Sequence, residues 1–263
     1  MKTLEQILAT PLPYSNAELN KKIMSFIDLT TLEGADTKEK VTELCNKAKQ
    51  HQTAAICVYP PFAKLVKEQL KGTGIQTACV AGAFPAGQSP IHVKTAEVAY
   101  TVEQGADEID MVISRGTFLE GDYATVGAEI KAIREACGNA RLKVILETGE
   151  LQTPENIKLA SEIAIANIND GDFIKTSTGK VAVNATPEAA FVMLNAIKTE
   201  YEKTEKKIGF KPAGGVSNQQ EAEVYVKLVY EILGEEWLTP KLFRFGASRL
   251  VDALVGAQGT SAY

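Results

Sequence analysis

Histidine is scarce in this chain: His51 and His92 are the only two in 263 residues. That argues against a multi-histidine metal centre. Cysteine is scattered. Cys45, Cys57, Cys79 and Cys137 form no C-x-x-C pair, so neither a zinc ribbon nor a disulfide framework is expected, and a reduced, cytoplasmic setting fits. No run of about 18 apolar residues occurs, so no membrane span is expected. The N-terminal stretch "MKTLEQILATPLPYS" is interrupted by Pro11 and Pro13 and does not read as a secretory signal. Basic charge is not in excess. The net charge of −5 offers nothing to a nucleic acid or an anionic membrane. Linkers and low-complexity tracts are missing too, so one domain over 1–263 is expected, with a small polar tail at 256–263 that reads as flexible.

What is present is a repeated alternation. Eight short, continuously apolar runs recur: "FIDLTTL" (26–32), "AAICVYP" (54–60), "QTACVAGAFP" (76–85), "DEIDMVIS" (107–114), "LKVILETGE" (142–150), "DFIKTSTG" (172–179), "IGFKPAGG" (208–215) and "LFRFGAS" (242–248). Such runs suit parallel strands buried on both faces. Between them lie helical stripes, such as Val41, Leu44, Cys45, Ala48 and Tyr225, Leu228, Val229, Ile232. Helix starts are marked by Asp36 with Glu39, Asn218 with Glu221, Thr153-Pro154 and Thr186-Pro187. Gly105, Gly138, Gly171 and Gly234 mark helix ends. Eight βα units in this length predict a (β/α)8 TIM barrel, with residues 1–24 forming a helix that closes its bottom. An open doubly wound sheet is the alternative, because periodicity does not close a sheet.

Barrel chemistry sits at the C-terminal ends of strands. Those ends carry Asp28, Cys57, Asp110, Glu147, Lys175 and Lys211. Charge in a buried strand is costly unless paired, so the set reads either as a salt-bridged layer or as a reactive site. Lys175, directly after Phe173-Ile174, is a candidate nucleophile. A lysine attacks a carbonyl only as the neutral amine, and each unit of pKa depression takes about 1.36 kcal/mol. Burial and a neighbouring cation supply that, and Lys211 ends the next strand. Asp110 is placed to keep Lys211 charged and so divide the roles. Cys57 reads as lining.

"STGK" (177–180) invites a nucleotide-loop reading, which fails because Ile174 and Val181 stand where that motif needs Gly and Ser or Thr. A simpler phosphate contact by Gly179 and Lys180 fits better. "PAGGVSN" (212–218) and "FGASR" (245–249) add Gly214, Gly215, Gly246 and Ser248, and barrels often bind phosphate on their last loops.

These segments, with "DLTTL" (28–32), "GADEIDMV" (105–112) and "DFIKTSTGKVAVNATPE" (172–188), closely resemble the deoxyribose-phosphate aldolase family from about residue 23 to Tyr263. The resemblance implies a metal-free and cofactor-free Schiff-base aldolase. It would cleave 2-deoxy-D-ribose 5-phosphate reversibly to D-glyceraldehyde 3-phosphate and acetaldehyde. It implies Lys175 as the Schiff-base lysine, Lys211 as its perturbing partner, Asp110 as acid/base and Tyr263 as a tail proton donor. It implies Asp28 as a polar residue that holds the substrate hydroxyls, with Cys57 nearby. Thr178, Gly179, Lys180, Gly214, Gly215, Gly246 and Ser248 would hold the phosphate. Two positions depart from the family pattern: Ser217, where a basic residue often follows "GGV", and Arg249, where a small hydroxyl residue often follows "GAS". Arg249 is expected to restore the lost charge at the phosphate. A homodimer is left open. A transaldolase-like enzyme and a non-catalytic sugar-phosphate-binding barrel are the other readings.

Overall fold

Burial on both faces explains why the strands read as unbroken apolar runs. The computed structural model describes residues 2–256. It contains β1 (Ile27–Thr30), β2 (Ala55–Val58), β3 (Gln76–Val80), β4 (Glu108–Val112), β5 (Arg141–Ile145), β6 (Phe173–Lys175), β7 (Gly209–Lys211) and β8 (Phe245–Ala247). All neighbouring pairs are parallel, in the order β7-β6-β5-β4-β3-β2-β1-β8. The two end strands then meet. Phe210 N–H donates to the Leu242 carbonyl at 2.9 Å, and Gly246 N–H donates to the Pro212 carbonyl at 3.0 Å. The parallel bridges Phe210–Phe243 and Ala213–Gly246 close the ring, which removes the open-sheet alternative.

The period of two in each strand sorts side chains between two environments. Outward residues, such as Ile56, Val58, Ile109, Met111, Val144 and Ile174, pack under the helices. Inward residues differ around the circumference. On β2 and β3 they are small and apolar: Ala55, Cys57, Ala78 and Val80. On β1 and β4 to β7 they include Asp28, Glu108, Asp110, Lys143, Lys175 and Lys211, all buried. The barrel thus has an apolar wall and a charged wall.

The helices are α1 (Leu4–Ala9), α2 (Asn16–Ser25), α3 (Lys38–His51), α4 (Ala63–Gln69), α5 (Ile91–Glu103), α6 (Arg115–Leu119), α7 (Tyr123–Ala136), α8 (Pro154–Ala166), α9 (Pro187–Thr204), α10 (Gln219–Leu233) and α11 (Leu250–Leu254). Thr153, Thr186 and Asn218 cap α8, α9 and α10 as their sequence positions suggest. Each such cap contributes about 0.5–2 kcal/mol. Two expectations change. The cap of α3 is Thr37, while Asp36 instead accepts from the Thr31 hydroxyl at 2.9 Å and the Glu33 amide at 3.0 Å, bracing the loop after β1. The N-terminal segment is two short helices, because Pro11 and Pro13 fall between them; Thr3 and Ser15 each form a capping box. Tyr263 and the tail from 257 lie outside the described residues.

Candidate active site

The strand register brings the candidate residues together. Lys175 and Lys211 are directly paired positions on β6 and β7. Asp110 lies on β4, opposite Lys143 of β5. Asp110 is the hub. Its Oδ2 accepts from Lys175 Nζ at 2.7 Å and Lys211 Nζ at 2.8 Å, and its Oδ1 accepts from Lys143 Nζ at 2.8 Å. Lys211 also donates to Asp28 Oδ2 at 2.5 Å. The other oxygen of Asp28 accepts from Arg244 Nη1 at 2.5 Å. Asp28 therefore has both oxygens committed inside the network.

Below this set lies a second charged tier. Glu108 accepts from Lys143 at 2.6 Å and from Arg244 Nη2 at 2.8 Å. Arg141 reaches the same carboxylate at 2.8 Å from the barrel's lower rim. Phe173 floors the site, with the Arg141 and Arg244 guanidinium groups 5.6 and 6.0 Å from its ring centre. Gly209 must be small there, since a Cβ would stand 2.6 Å from the Phe173 ring.

The fully enclosed members of this network are three carboxylates, Asp28, Glu108 and Asp110, and four bases, Lys143, Lys175, Lys211 and Arg244; Arg141 opens to solvent at the rim, where water carries part of its charge. The set is balanced when one base is neutral. Uncompensated charge in the interior is costly, so the weakest-held base gives up its proton. Lys175 touches one carboxylate, Lys211 two and Lys143 three. The directions agree. Burial, reinforced by the Lys211 charge, pulls the Lys175 amine below the usual lysine range despite Asp110. Burial opposes charge on Lys211 too, but Asp110 and Asp28 outweigh it and raise its pKa. Lys143 and Arg244 are raised by their carboxylates in the same way, against burial. Asp110 is buried as well, yet Lys143, Lys175 and Lys211 hold it well below the carboxylate range. The arrangement is a neutral amine beside a fixed ammonium, with a carboxylate touching both.

Cys57 lines the apolar wall, fully buried, and burial followed by the Asp110 charge pushes its thiol up to about 11. Glu147 sits above, at the end of β5, apart from the lysines. The loops after β6, β7 and β8 converge: Gly214 donates to the Gly246 carbonyl at 3.4 Å, and a Cβ at Gly214 would strike Asn184 at 2.6 Å. Gly179, Gly214 and Gly215 all have positive φ. The Lys180 ammonium instead reaches across the mouth to Glu33 at 2.9 Å. That rim pair is partly exposed and so holds Lys180 only weakly. Ser248 and Arg249 are exposed at the start of α11, and Ser217 donates to Glu221 from its amide and hydroxyl at 2.6 and 2.9 Å.

Lys143, Glu108 and Arg244 are not among the strand-end residues. A signal for the first two was present: both are charged, and both sit inside apolar runs on the inward phase.

A closed βα barrel with a buried lysine pair at its C-terminal mouth defines a class of carbonyl chemistry. Residues 22–232 match the DeoC/LacD family aldolase, and the chain belongs to that family. It is 47% identical over 249 residues to the human deoxyribose-phosphate aldolase, covering 88% of this chain and 78% of that protein. The mouse enzyme of that name is 46% identical, over the same share of each chain. Among solved structures, the tetrameric deoxyribose phosphate aldolase from Aeropyrum pernix superposes with a TM-score of 0.74 at 25% identity, over 96% of both chains.

Proposed function

We infer that this aldolase cleaves 2-deoxy-D-ribose 5-phosphate reversibly to D-glyceraldehyde 3-phosphate and acetaldehyde through an imine on Lys175. The observation that carries the reading is the unequal pairing of the two lysines: one carboxylate contact for Lys175 against two for Lys211. The neutral Lys175 amine adds to the C1 aldehyde of the open-chain sugar. Loss of water gives the iminium. A base then takes the proton of the C3 hydroxyl, and the C2–C3 electron pair moves into the iminium, leaving an enamine on Lys175 and releasing glyceraldehyde 3-phosphate. Protonation of C2 and addition of water return the free amine and release acetaldehyde.

Asp110 touches the nitrogen and Lys211 donates to the same carboxylate oxygen, so these two carry its protons, directly or through water. The two-carbon fragment faces Ala55, Cys57, Ala78 and Val80, a wall with no charge to quench the enamine. The amides of the positive-φ Gly179 and Gly215, with Ser248 and Lys180, supply the phosphate end; the Gly214 and Gly246 amides already meet the Gly246 and Pro212 carbonyls and Thr178 gives both its donors to Glu147, so those three shape the loops around it. Arg249, exposed beside Ser248, adds the positive charge that Ser217 does not. Tyr263 is the proposed proton donor to C2 from the tail.

The test is turnover of 2-deoxyribose 5-phosphate, followed by coupled detection of glyceraldehyde 3-phosphate, in the chain and in Lys175→Leu. Full turnover by Lys175→Leu would remove the lysine from the mechanism.

A further inference from the structure

Glu147 takes no part in the lysine network, yet it is fully buried and holds φ +57°, a region that non-glycine residues rarely adopt. Its neighbours explain its position. Leu146 N–H donates to the Lys175 carbonyl at 3.0 Å, and Thr148 N–H donates to the Thr176 carbonyl at 3.0 Å. The chain therefore keeps pairing with the segment after β6 on both sides of Glu147. The left-handed backbone between those two bonds turns the carboxylate toward Thr178. There Glu147 accepts the Thr178 amide at 3.1 and 3.3 Å on its two oxygens, and the Thr178 hydroxyl as well. The Thr178 oxygen in turn accepts the Lys180 amide at 3.1 Å. Arg115 Nη1, 3.7 Å from the carboxylate, is the nearest cation, itself tied to Glu150 at 2.6 Å and the Pro85 carbonyl at 2.9 Å.

A second contact clamps the same loop further along. A Cβ at Gly149 would stand 2.1 Å from the Val183 carbonyl oxygen, so the 179–186 loop lies directly on the turn that carries Glu147.

We propose that Glu147 is a positioning residue for substrate specificity: through Thr178 it sets the Thr178–Gly179–Lys180 backbone so that the loop accepts the phosphate of the sugar. This rests on the aldolase reading above. Two donors of one residue directed at a buried carboxylate fix a loop more firmly than they would on a neutral acceptor. An acceptor-only group suits both. A glutamine turned with its NH2 toward the Thr178 amide sets two donors against each other, and turned toward the hydroxyl it reverses that bond, so either way the present pairing of Thr178 is lost.

The experiment uses the full chain, Glu147→Gln and Thr178→Val. Initial rates are measured with 2-deoxyribose 5-phosphate and with unphosphorylated 2-deoxyribose, with inorganic phosphate as a competing anion. Lys175 is trapped in parallel with acetaldehyde and borohydride. The expected result is a fall of about tenfold or more in the ratio of kcat/KM for phosphorylated over unphosphorylated sugar in both variants, carried mainly by KM, with weaker inhibition by phosphate and Lys175 still trapped. An unchanged ratio overturns the proposal. So does an equal loss on both sugars, which would mean that Glu147 acts on the lysine or on the fold. If Glu147→Gln fails to fold, Thr178→Val decides alone. Failure to trap Lys175 in the unaltered chain would instead sink the aldolase reading, and this inference with it.

Discussion

Replacing Asp110 with asparagine changes one charge and almost no volume, in a site where three lysines converge, two of them held as ammonium. The carboxylate accepts from Lys143, Lys175 and Lys211 at 2.7–2.8 Å, and all four side chains are buried. An asparagine must direct its NH2 at an ammonium, whichever way it turns. Breaking a buried ion pair from one side costs about 3–5 kcal/mol, against a typical total stability of about 5–15 kcal/mol. At about 2–4 °C per kcal/mol for a chain of this size, Tm should fall by about 6–20 °C.

The pH dependence has a definite sign. The folded-state pKa of Asp110 is depressed, so its stabilisation is present above the unfolded value of roughly 3.9 and is lost as pH falls below it. The Tm gap between the two proteins should therefore narrow below about pH 4. In the variant, the lysines lose the carboxylate that supported their charge, so the folded form sheds protons before the unfolded form does. Stability then rises with pH, and the gap narrows again on the alkaline side. Scanning fluorimetry from pH 3 to pH 10 reads both limbs. A Tm within about 2 °C of the parent at pH 7 would refute the ion-pair reasoning, since even the low end of the expected loss exceeds it. Turnover should fall by about 10²–10⁴-fold as well, the range for a lost acid–base group.

Lys211→Leu removes the cation that helps hold Lys175 down, so imine formation should slow at pH 7 and the rate optimum should move upward, read as a pH profile of borohydride trapping. Gly149→Ala drives a methyl into the Val183 carbonyl, 2.1 Å away, and should cost about 1–3 kcal/mol while raising KM for the phosphorylated sugar, checked by melting and initial rates. Arg249→Ala should raise that KM severalfold and leave kcat alone, the pattern of a lost uniform binding contact; an unchanged KM would discard Arg249 as a phosphate partner. All four cysteines are buried and the Cys57 thiol is pushed up to about 11, so Ellman titration of the native chain should show no fast thiol at pH 8.

Much of the barrel is legible in the sequence because burial on both faces makes each strand a short apolar run, and proline, threonine and glycine punctuate the helices between. Lys175 and Lys211 stand out because each is charged at the end of such a run, while Asp110 lies mid-strand in β4 and stands out only as a charge inside one. Lys143, in register with Asp110, and Glu108, one inward step lower, carry the same signal, but a strand-end reading does not look there. Arg244 is harder still. Its partners Asp28 and Glu108 are 216 and 136 residues away, and only closure of the ring brings them together. The stance of Glu147 is likewise hidden, because nothing in its residue type announces a positive φ. Lys180 is legible in part: its position beside Gly179 suggests phosphate, but nothing in the local sequence signals the Glu33 carboxylate that its ammonium reaches across the mouth. The split of the N-terminal segment was readable at Pro11 and Pro13, which interrupt the helix expected there.

The most direct test is to incubate the chain with acetaldehyde, reduce it with borohydride and map the adduct by peptide mass spectrometry. One reduced ethyl group on Lys175, with Lys211 and Lys143 unmodified, is the expected result. It follows from the lysine with the fewest carboxylate contacts being the one that is neutral. An adduct on Lys211, or turnover of the sugar phosphate with no trapped lysine, would contradict that division of charge.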